Sequence, residues 1–465
     1  MSSSQSDLIY PLDARPPFLE ATFAAIQHVL ASFVGIITPT LIIGGVLGLG
    51  EHIPYLISMA LMVSGVGTFI QARRPLKVGA GMICVQGTSF AFLGSILAAG
   101  FIAKGKGGGP DEILSLIFCI CFLGAFIEIF LSQVMHKLKR VITPLVTGIV
   151  ITIIGVSLIK VGMTDLAGGF KAKDFGSLEN LGLGLFVLTL IILLNRSSNQ
   201  WLRLTSIVIG LAAGFVVAGL MGKLNFSHLG SLPLVSIPVP FKYGFSFDLS
   251  AFIPIALIYV ITTIETTGDI TANCLISKQP IEGETYLQRI KGGVLGDGVN
   301  SALAAVFNTF PNTTFSQNNG VIQLTGIASR YVGMFIAALL VLLGVFPIIG
   351  GVLQQIPKPV LGGATLVMFG TVAAAGVKIL SGEELDRRKM LIMAVSFGVG
   401  LGVSMVPNLL EVMPKLVQNV FGSPITTGGL TASVLNLILP DEAGKEGAES
   451  EDTPAEVKKG ETAEA

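Results

Sequence analysis

The chain has 465 residues, of which 51% are hydrophobic and only 12% charged, and its mean hydropathy is +0.78. Soluble globular proteins carry about 25% charged residues, so this composition excludes a soluble enzyme and describes a polytopic membrane protein. The formal charge of zero conceals a basic membrane part offset by an acidic stretch after residue 440.

Residues 1–17 are polar and include Asp7 and Asp13, unlike the basic leader and cleavage site of a signal peptide. The first apolar run is therefore expected to be retained as its own insertion signal. Runs of the roughly 20 residues that a helix needs to cross the hydrocarbon recur from Phe18 to Pro440. Fourteen spans are expected, near 18–45, 53–72, 82–101, 112–134, 141–161, 180–195, 204–222, 249–268, 292–309, 316–329, 331–351, 359–380, 389–407 and 425–439. Arg73, Arg74, Lys77, Lys137, Arg196, Lys278 and Arg387 then fall in loops on one side, which predicts both termini in the cytoplasm.

In the first span Gln27-His28 interrupts an apolar run. A lone His there serves either as a hydrogen-bonded structural residue or in substrate and proton work. The third span is broken at Gln86-Gly87-Thr88-Ser89-Phe90, a polar stretch within apolar sequence. Cys84, Cys119, Cys121 and Cys274 lie in or beside apolar runs without a CxxC pair or a His cluster, and read as small buried apolar residues. Gly105 to Pro110 reads as a flexible loop and not a phosphate cradle.

Pro144, Gly148 and Gly155 in the fifth span match Pro359, Gly363 and Gly370 in the twelfth at a constant offset of 215 residues. Seven spans separate the copies, and an odd number inverts the second copy in the membrane, as in inverted-repeat transporters. The other reading is that these are unrelated helix-packing glycines.

Ionisable residues inside spans are expensive and mark function. Glu265 lies in the eighth span, with Asp269 one turn on. Asp297 sits between glycines in the ninth span; it is either a protonatable group or a loop carboxylate paired with Lys291. In the tenth span, Pro311 blocks a continuous helix and the segment to Ser316 suits an extended strand. Gln317 to Gly326 concentrates amides, a hydroxyl and two glycines in apolar surroundings, so a helix is expected to start near Gln317 with its free N–H groups facing a ligand. Arg330 reads as a snorkelling residue at the cytoplasmic boundary. Residues 441–465 carry nine acids against three lysines and no aromatic residue, and are expected to be disordered. No GxSxG, P-loop or HExxH motif is present, so no enzyme and no metal or organic cofactor is expected.

Taken together, Gln317-Asn318-x-Gly320-x4-Thr325-Gly326, Gln27-His28, Gln86 to Phe90, Glu265 with Gly268-Asp269, Asp297 and Pro359 to Ala364 resemble the signature of the nucleobase-ascorbate transporter family, also called nucleobase:cation symporter 2. Within it, Gly292 to Leu295 and Gln317 to Arg330 are most similar to the bacterial xanthine permeases. The resemblance implies an all-α fold with short extended segments in spans 3 and 10, built as two inverted seven-span repeats. Spans 1–4 (18–134) and 8–11 (249–351) would form a core domain, and spans 5–7 (135–222) and 12–14 (359–439) a gate through which homodimers form. It further implies proton-driven symport of a purine nucleobase, foremost xanthine, across the bacterial inner membrane, with lipid around the chain and no nucleic acid as partner. Urate or a broader range of purines is the alternative, and anion exchange or a channel on the same fold a more distant one. Glu265 and Gln317 would hydrogen-bond the purine; Phe90, Ser89, Gly320, Thr325 and Gly326 would also contact it or set selectivity. Asn318 and Gln86 would hold the site's shape, and Asp297, His28 and Asp269 would carry the proton. Ser89 stands where some xanthine permeases carry Asn, a difference that bears on how narrowly xanthine is preferred.

Overall fold

A computed structural model describes residues 8–138, 141–226 and 229–440, so the acidic tail lies outside the described residues. Its elements in chain order are helices α1 (Phe18–Leu47) and α2 (Ile53–Arg73), strand β1 (Gln86–Thr88), then α3 (Leu93–Gly105), α4 (Pro110–Gln133), α5 (Met135–Leu138), α6 (Pro144–Leu166), α7 (Leu178–Asn195) and α8 (Gln200–Leu220). The second half runs α9 (Leu249–Ile276), α10 (Gly283–Val306), strand β2 (Asn312–Thr314), α11 (Gln317–Thr325), α12 (Arg330–Val345), α13 (Pro347–Gln354), α14 (Lys358–Leu380), α15 (Arg387–Met405), α16 (Lys415–Phe421) and α17 (Pro424–Ile438).

The fold class is as expected: helical, with short extended segments at the third and tenth positions. Among the described residues, eight helices are long and apolar enough to cross a membrane, or nine if α12 and α13, bent by 75° at Pro347, count as one. Length and composition thus do not reach fourteen: the third and tenth spans are each half strand and half helix, α10 opens on polar turns, and α17 and the apolar part of α8 are shorter than 18 residues. Other boundaries also differ. The helix of the ninth span begins at Gly283, nine residues before the expected 292, since its polar first turns continue the helix where hydropathy no longer marks it. The helix of the tenth ends at Thr325, four residues before the expected 329, stopped by Gly326 with its φ of 69°.

The two strands meet antiparallel, with Gln86 opposite Thr314, Gly87 opposite Thr313 and Thr88 opposite Asn312. The ladder is extended by Ser89 N donating to Pro311 O (2.8 Å) and Phe315 N donating to Val85 O (2.9 Å). Backbone that is not helical thereby finds its partners inside the protein, the condition for its survival at membrane depth. Because the strands are antiparallel, the helical segments that follow them leave in opposite directions. Gly87 allows this closeness: a Cβ there would lie 2.3 Å from Cζ of Phe315.

The repeat-related helices α6 and α14 pack antiparallel on each other. Gly148 faces Leu380 and Gly376, Gly155 faces Ala373, Gly162 faces Leu366, and Gly362 faces Leu166. Small residues let the backbones approach, which is how apolar helices gain dispersion contact when lipid is as apolar as they are. Elsewhere α12 packs on α2 and α1, and α10 on α4 and α9. Exposed apolar side chains cover the outer faces of α7, α8, α15 and α17, among them Phe186, Leu193, Val216, Leu391 and Leu437. All four cysteines are free and buried.

Candidate functional site

The two strand-to-helix junctions face one cavity. Phe90 borders it from the turn after β1, Ser316 and Gln317 from the start of α11, and Glu265 from α9. The opposite wall is apolar, with Leu158 of α6 and Phe369 of α14. Phe90 and Phe369 meet edge to face at 5.1 Å between ring centroids, so the cavity is closed by an aromatic pair contributed from two helical groups. No side chain caps the helical segment at Phe90, which leaves its first N–H groups for a ligand, whereas at α11 Asn318 N and Asn319 N donate to Phe315 O (3.2 Å) and Ser316 O (3.0 Å).

Glu265 is 9% exposed and its Oε2 has no partner among the described residues. A buried carboxylate oxygen without a donor costs of the order of 1–3 kcal/mol, a cost that a ligand N–H can relieve. The Gln317 amide lies against α1, where a Cβ on Gly35 would be 3.1 Å from its Nε2. A carboxylate and an amide on one cavity present two acceptors beside a donor-acceptor pair, matched to a ring with alternating N–H and C=O groups.

Behind the cavity, Asp297 is fully buried and gathers donors from four elements. Its Oδ1 accepts from Gln71 Nε2 (2.6 Å), Gln86 Nε2 (2.7 Å) and Thr314 Oγ1 (3.1 Å). Its Oδ2 accepts from Thr266 Oγ1 (2.6 Å) and the Thr314 backbone N (3.1 Å). It thus joins α2, both strands and α9, and has no ion pair with Lys291, which is exposed. The loop-carboxylate reading is thereby replaced, because residue 297 falls in mid-helix on the face of α10 turned toward the strands. Gln86 is itself fixed by Asn300 Nδ2 donating to its Oε1 (3.0 Å).

Asp269 accepts from Ser316 Oγ (2.5 Å), while its Oδ2 has no partner among the described residues. His28 bonds to Asn318: Asn318 Nδ2 donates to His28 Nδ1 (3.0 Å) and to His28 O (3.2 Å). This leaves Nε2 as the protonated ring nitrogen, buried and without a partner among the described residues. No bond links His28 to Asp297 among the described residues, so the two do not form one direct network.

Four other expected site residues lie off the cavity wall. Ser89 is buried, and its Oγ has no partner among the described residues. Gly320 is exposed, and a Cβ added to it would meet nothing within 4 Å. Thr325 Oγ1 donates to Val321 O in its own helix (2.8 Å), and Gly326 is the left-handed residue that ends it. At about 1.5 Å per residue, Thr325 is roughly 12 Å along the axis from Gln317, so the two ends of the motif cannot touch the same small ligand.

Sequence reasoning missed Gln71, Thr266 and Thr314, whose polarity is unremarkable until tertiary packing aims them at Asp297. It also missed Glu128 of α4, 1% exposed with an Oε1 that has no partner among the described residues, although an ionisable residue within a span was the signal applied elsewhere. Outside the spans, Asp248 caps α9 by accepting from Ala251 N (3.1 Å) and pairs with Lys106 (2.5 Å). The Lys106 ammonium, then the Ser250 hydroxyl, hold the Asp248 carboxyl well below the usual carboxylate range. Lys106 thus has a fixed partner within the segment that reads as a flexible loop.

A family model described as a permease family matches residues 19–409. A xanthine permease, XanP, of Escherichia coli strain K12 is 48% identical over 445 residues, covering 95% of this chain and 96% of its own. The uric acid permease PucJ of Bacillus subtilis is 35% identical, covering 89% and 91%. Among solved structures, the transmembrane domain of the cyanobacterial bicarbonate transporter BicA aligns with a TM-score of 0.54 at 15% identity, over 88% of this chain and 99% of that one. The murine anion transporter Slc26a9 in its inward-facing state aligns at 0.60 and 11% identity, over 92% and 69%. These structural likenesses concern the fold alone.

Proposed function

This chain belongs to the nucleobase-ascorbate transporter family of permeases, and from that premise we propose that it is a proton-coupled symporter importing xanthine across a bacterial inner membrane. The observation that carries the reading is the meeting of Glu265 and Gln317 on one cavity at the junction of two broken spans. The Glu265 carboxylate accepts the purine's ring N–H groups. The Gln317 amide donates to one carbonyl and accepts from a neighbouring N–H, and Phe90 with the N–H groups at the start of its own helical segment holds the remaining edge. Asn318, held to His28, and Gln86, held to Asp297, keep these elements in place.

The proton enters the Asp297 network, with Asp269 and His28 on adjoining elements. Protonating Asp297 turns one of its acceptor positions into a donor facing donors, so the bonds to both strands must rearrange. That rearrangement couples proton binding to the geometry of β1 and β2, and through them to the cavity. Residues 18–134 and 249–351 act as the core, and 135–222 and 359–439 as the gate. Fourteen spans form two inverted repeats, both termini face the cytoplasm, and the gate mediates a homodimer.

Labelled xanthine uptake in a purine-transport-deficient cell tests the reading. Uptake is expected to collapse with an uncoupler and in Glu265→Ala; full activity in either case overturns it. The similarity to a uric acid permease gives a second reading, a urate or broad purine permease, which competition by urate, hypoxanthine, guanine and uracil separates from the first. Anion exchange is disfavoured because the ionisable groups buried around the cavity, Glu265, Asp269 and Asp297, are acids.

A further inference from the structure

The far end of α11 is held by a segment that the family signature leaves out. Residues 9–14 run beside residues 326–330 as a parallel strap. Ile9 N and Tyr10 N both donate to Gly326 O (2.8 and 3.1 Å), Ala328 N donates to Tyr10 O (2.9 Å), and Arg330 N donates to Leu12 O (3.0 Å). Ser329 Oγ donates to Ala14 O (2.5 Å), and the Arg330 guanidinium pairs with the Asp13 carboxylate.

The strap is also plugged into the protein interior. Leu12 is 5% exposed and sits in a cluster with Met82 and Cys84, on the approach to β1, and with Ile270 and Cys274 of α9. Leu8 packs against the neighbouring cluster that contains Val85, Phe315 and Ile322. One short segment therefore bonds to the end of α11 and packs in the cluster that holds the approach to β1.

The physical need for such a hold is plain. A helix of nine residues is too short to be stable alone, and its last carbonyls have no partner within it. Gln317 stands at the opposite end of this lever, so a tilt of about 5° about the Gly326 end would move it by roughly 1 Å over the helix length. We propose that residues 8–14 are a positioning strap that fixes the tilt of α11 and so sets the placement of Gln317 at the cavity. The part concerning transport rests on the reading of that cavity as the purine site.

The experiment combines two measurements on the full-length protein in membranes. Leu12→Ala removes the plug, Ile9→Pro removes an N–H donor to Gly326 O, and Leu12→Met serves as the conservative control. Hydrogen exchange of residues 317–325 is expected to quicken by about tenfold in Leu12→Ala and Ile9→Pro, with α9 and α10 unchanged, and to return to the parent rate in Leu12→Met. The KM for labelled xanthine is expected to rise by about threefold or more with the maximal rate per molecule within about twofold.

Unchanged exchange in α11, exchange that quickens throughout the protein, or an unchanged KM with a lower maximal rate would each overturn the proposal. Should the parent protein carry no xanthine, the substrate reading falls. The exchange measurement then still decides whether the strap positions α11.

Discussion

Asp297 concentrates the chemistry of the interior at a single side chain. A carboxylate is acceptor-only, and each of its oxygens here accepts from at least two donors. Asp297→Asn puts an NH2 group against Gln and backbone donors, leaving at least one buried group unsatisfied at about 1–3 kcal/mol each. We expect lower thermal stability of the purified protein and uptake below a tenth of the parent rate at about equal membrane levels; a variant indistinguishable from the parent in both would show that the network is dispensable. Asp248 gives the contrasting case at the surface. Its carboxyl is held low by Lys106, so its stabilising contribution is fully present above the ordinary Asp range near about 3.9 and is lost only as pH falls through its lower folded value. Asp248→Ala should therefore lower stability by about 1 kcal/mol through loss of the helix cap. Melting curves should show the same difference at about pH 8 and pH 5, whereas a difference that vanishes by pH 5 would contradict the assigned direction.

At the level of elements, the repeated Pro/Gly pattern separates into two kinds of glycine. Gly155 is a contact residue: a Cβ would lie 2.2 Å from the backbone N of Ala373. Its repeat partner Gly370 meets nothing within 4 Å. Gly155→Ala is thus expected to cost about 1–3 kcal/mol by forcing α6 and α14 apart, and Gly370→Ala to stay within about 0.5 kcal/mol. Detergent-solution melting of both variants checks this, and equal effects would remove the packing explanation. The helix-packing reading of the pattern is correct for three of its four inner glycines, Gly148, Gly155 and Gly363, without conflicting with the inverted repeat. The broken spans were legible for a related reason. Pro311 and the polar run after it could not be continuous membrane helix, and the helix does begin at Gln317. Their pairing into one ladder was not legible, since three-residue strands carry no periodicity of their own.

At the scale of the whole molecule, polar contacts near both ends join the groups of helices that we assign to core and gate. Gln200 Nε2 donates to Leu324 O (2.7 Å) near the end of the molecule where α1 starts. Lys358 Nζ donates to Leu41 O (3.4 Å) near the end where α1 finishes. If transport moves one group past the other, contacts at opposite ends cannot both persist through the cycle. A disulfide between Gln200→Cys and Leu324→Cys is expected to stop uptake and a reductant to restore it, the native cysteines being buried. Uptake that continues with the disulfide formed would mean that this pair of elements does not separate.

Composition alone determined that this is a membrane protein, because 12% charge cannot cover a soluble surface. Residue type and local pattern determined where spans break and that Glu265, Asp297 and Gln317 lie where polar groups are costly. Only the tertiary structure decided which of these meet. It set Glu265 and Gln317 on one cavity, gave Asp297 its ring of donors from Gln71, Gln86, Thr266 and Thr314, turned the Thr325 hydroxyl onto its own helix, and tied Gly326 to a strap away from the cavity. The reason is one of range: hydropathy and helix breaking act over a few residues, whereas a hydrogen bond between residues 71 and 297 depends on how distant helices pack.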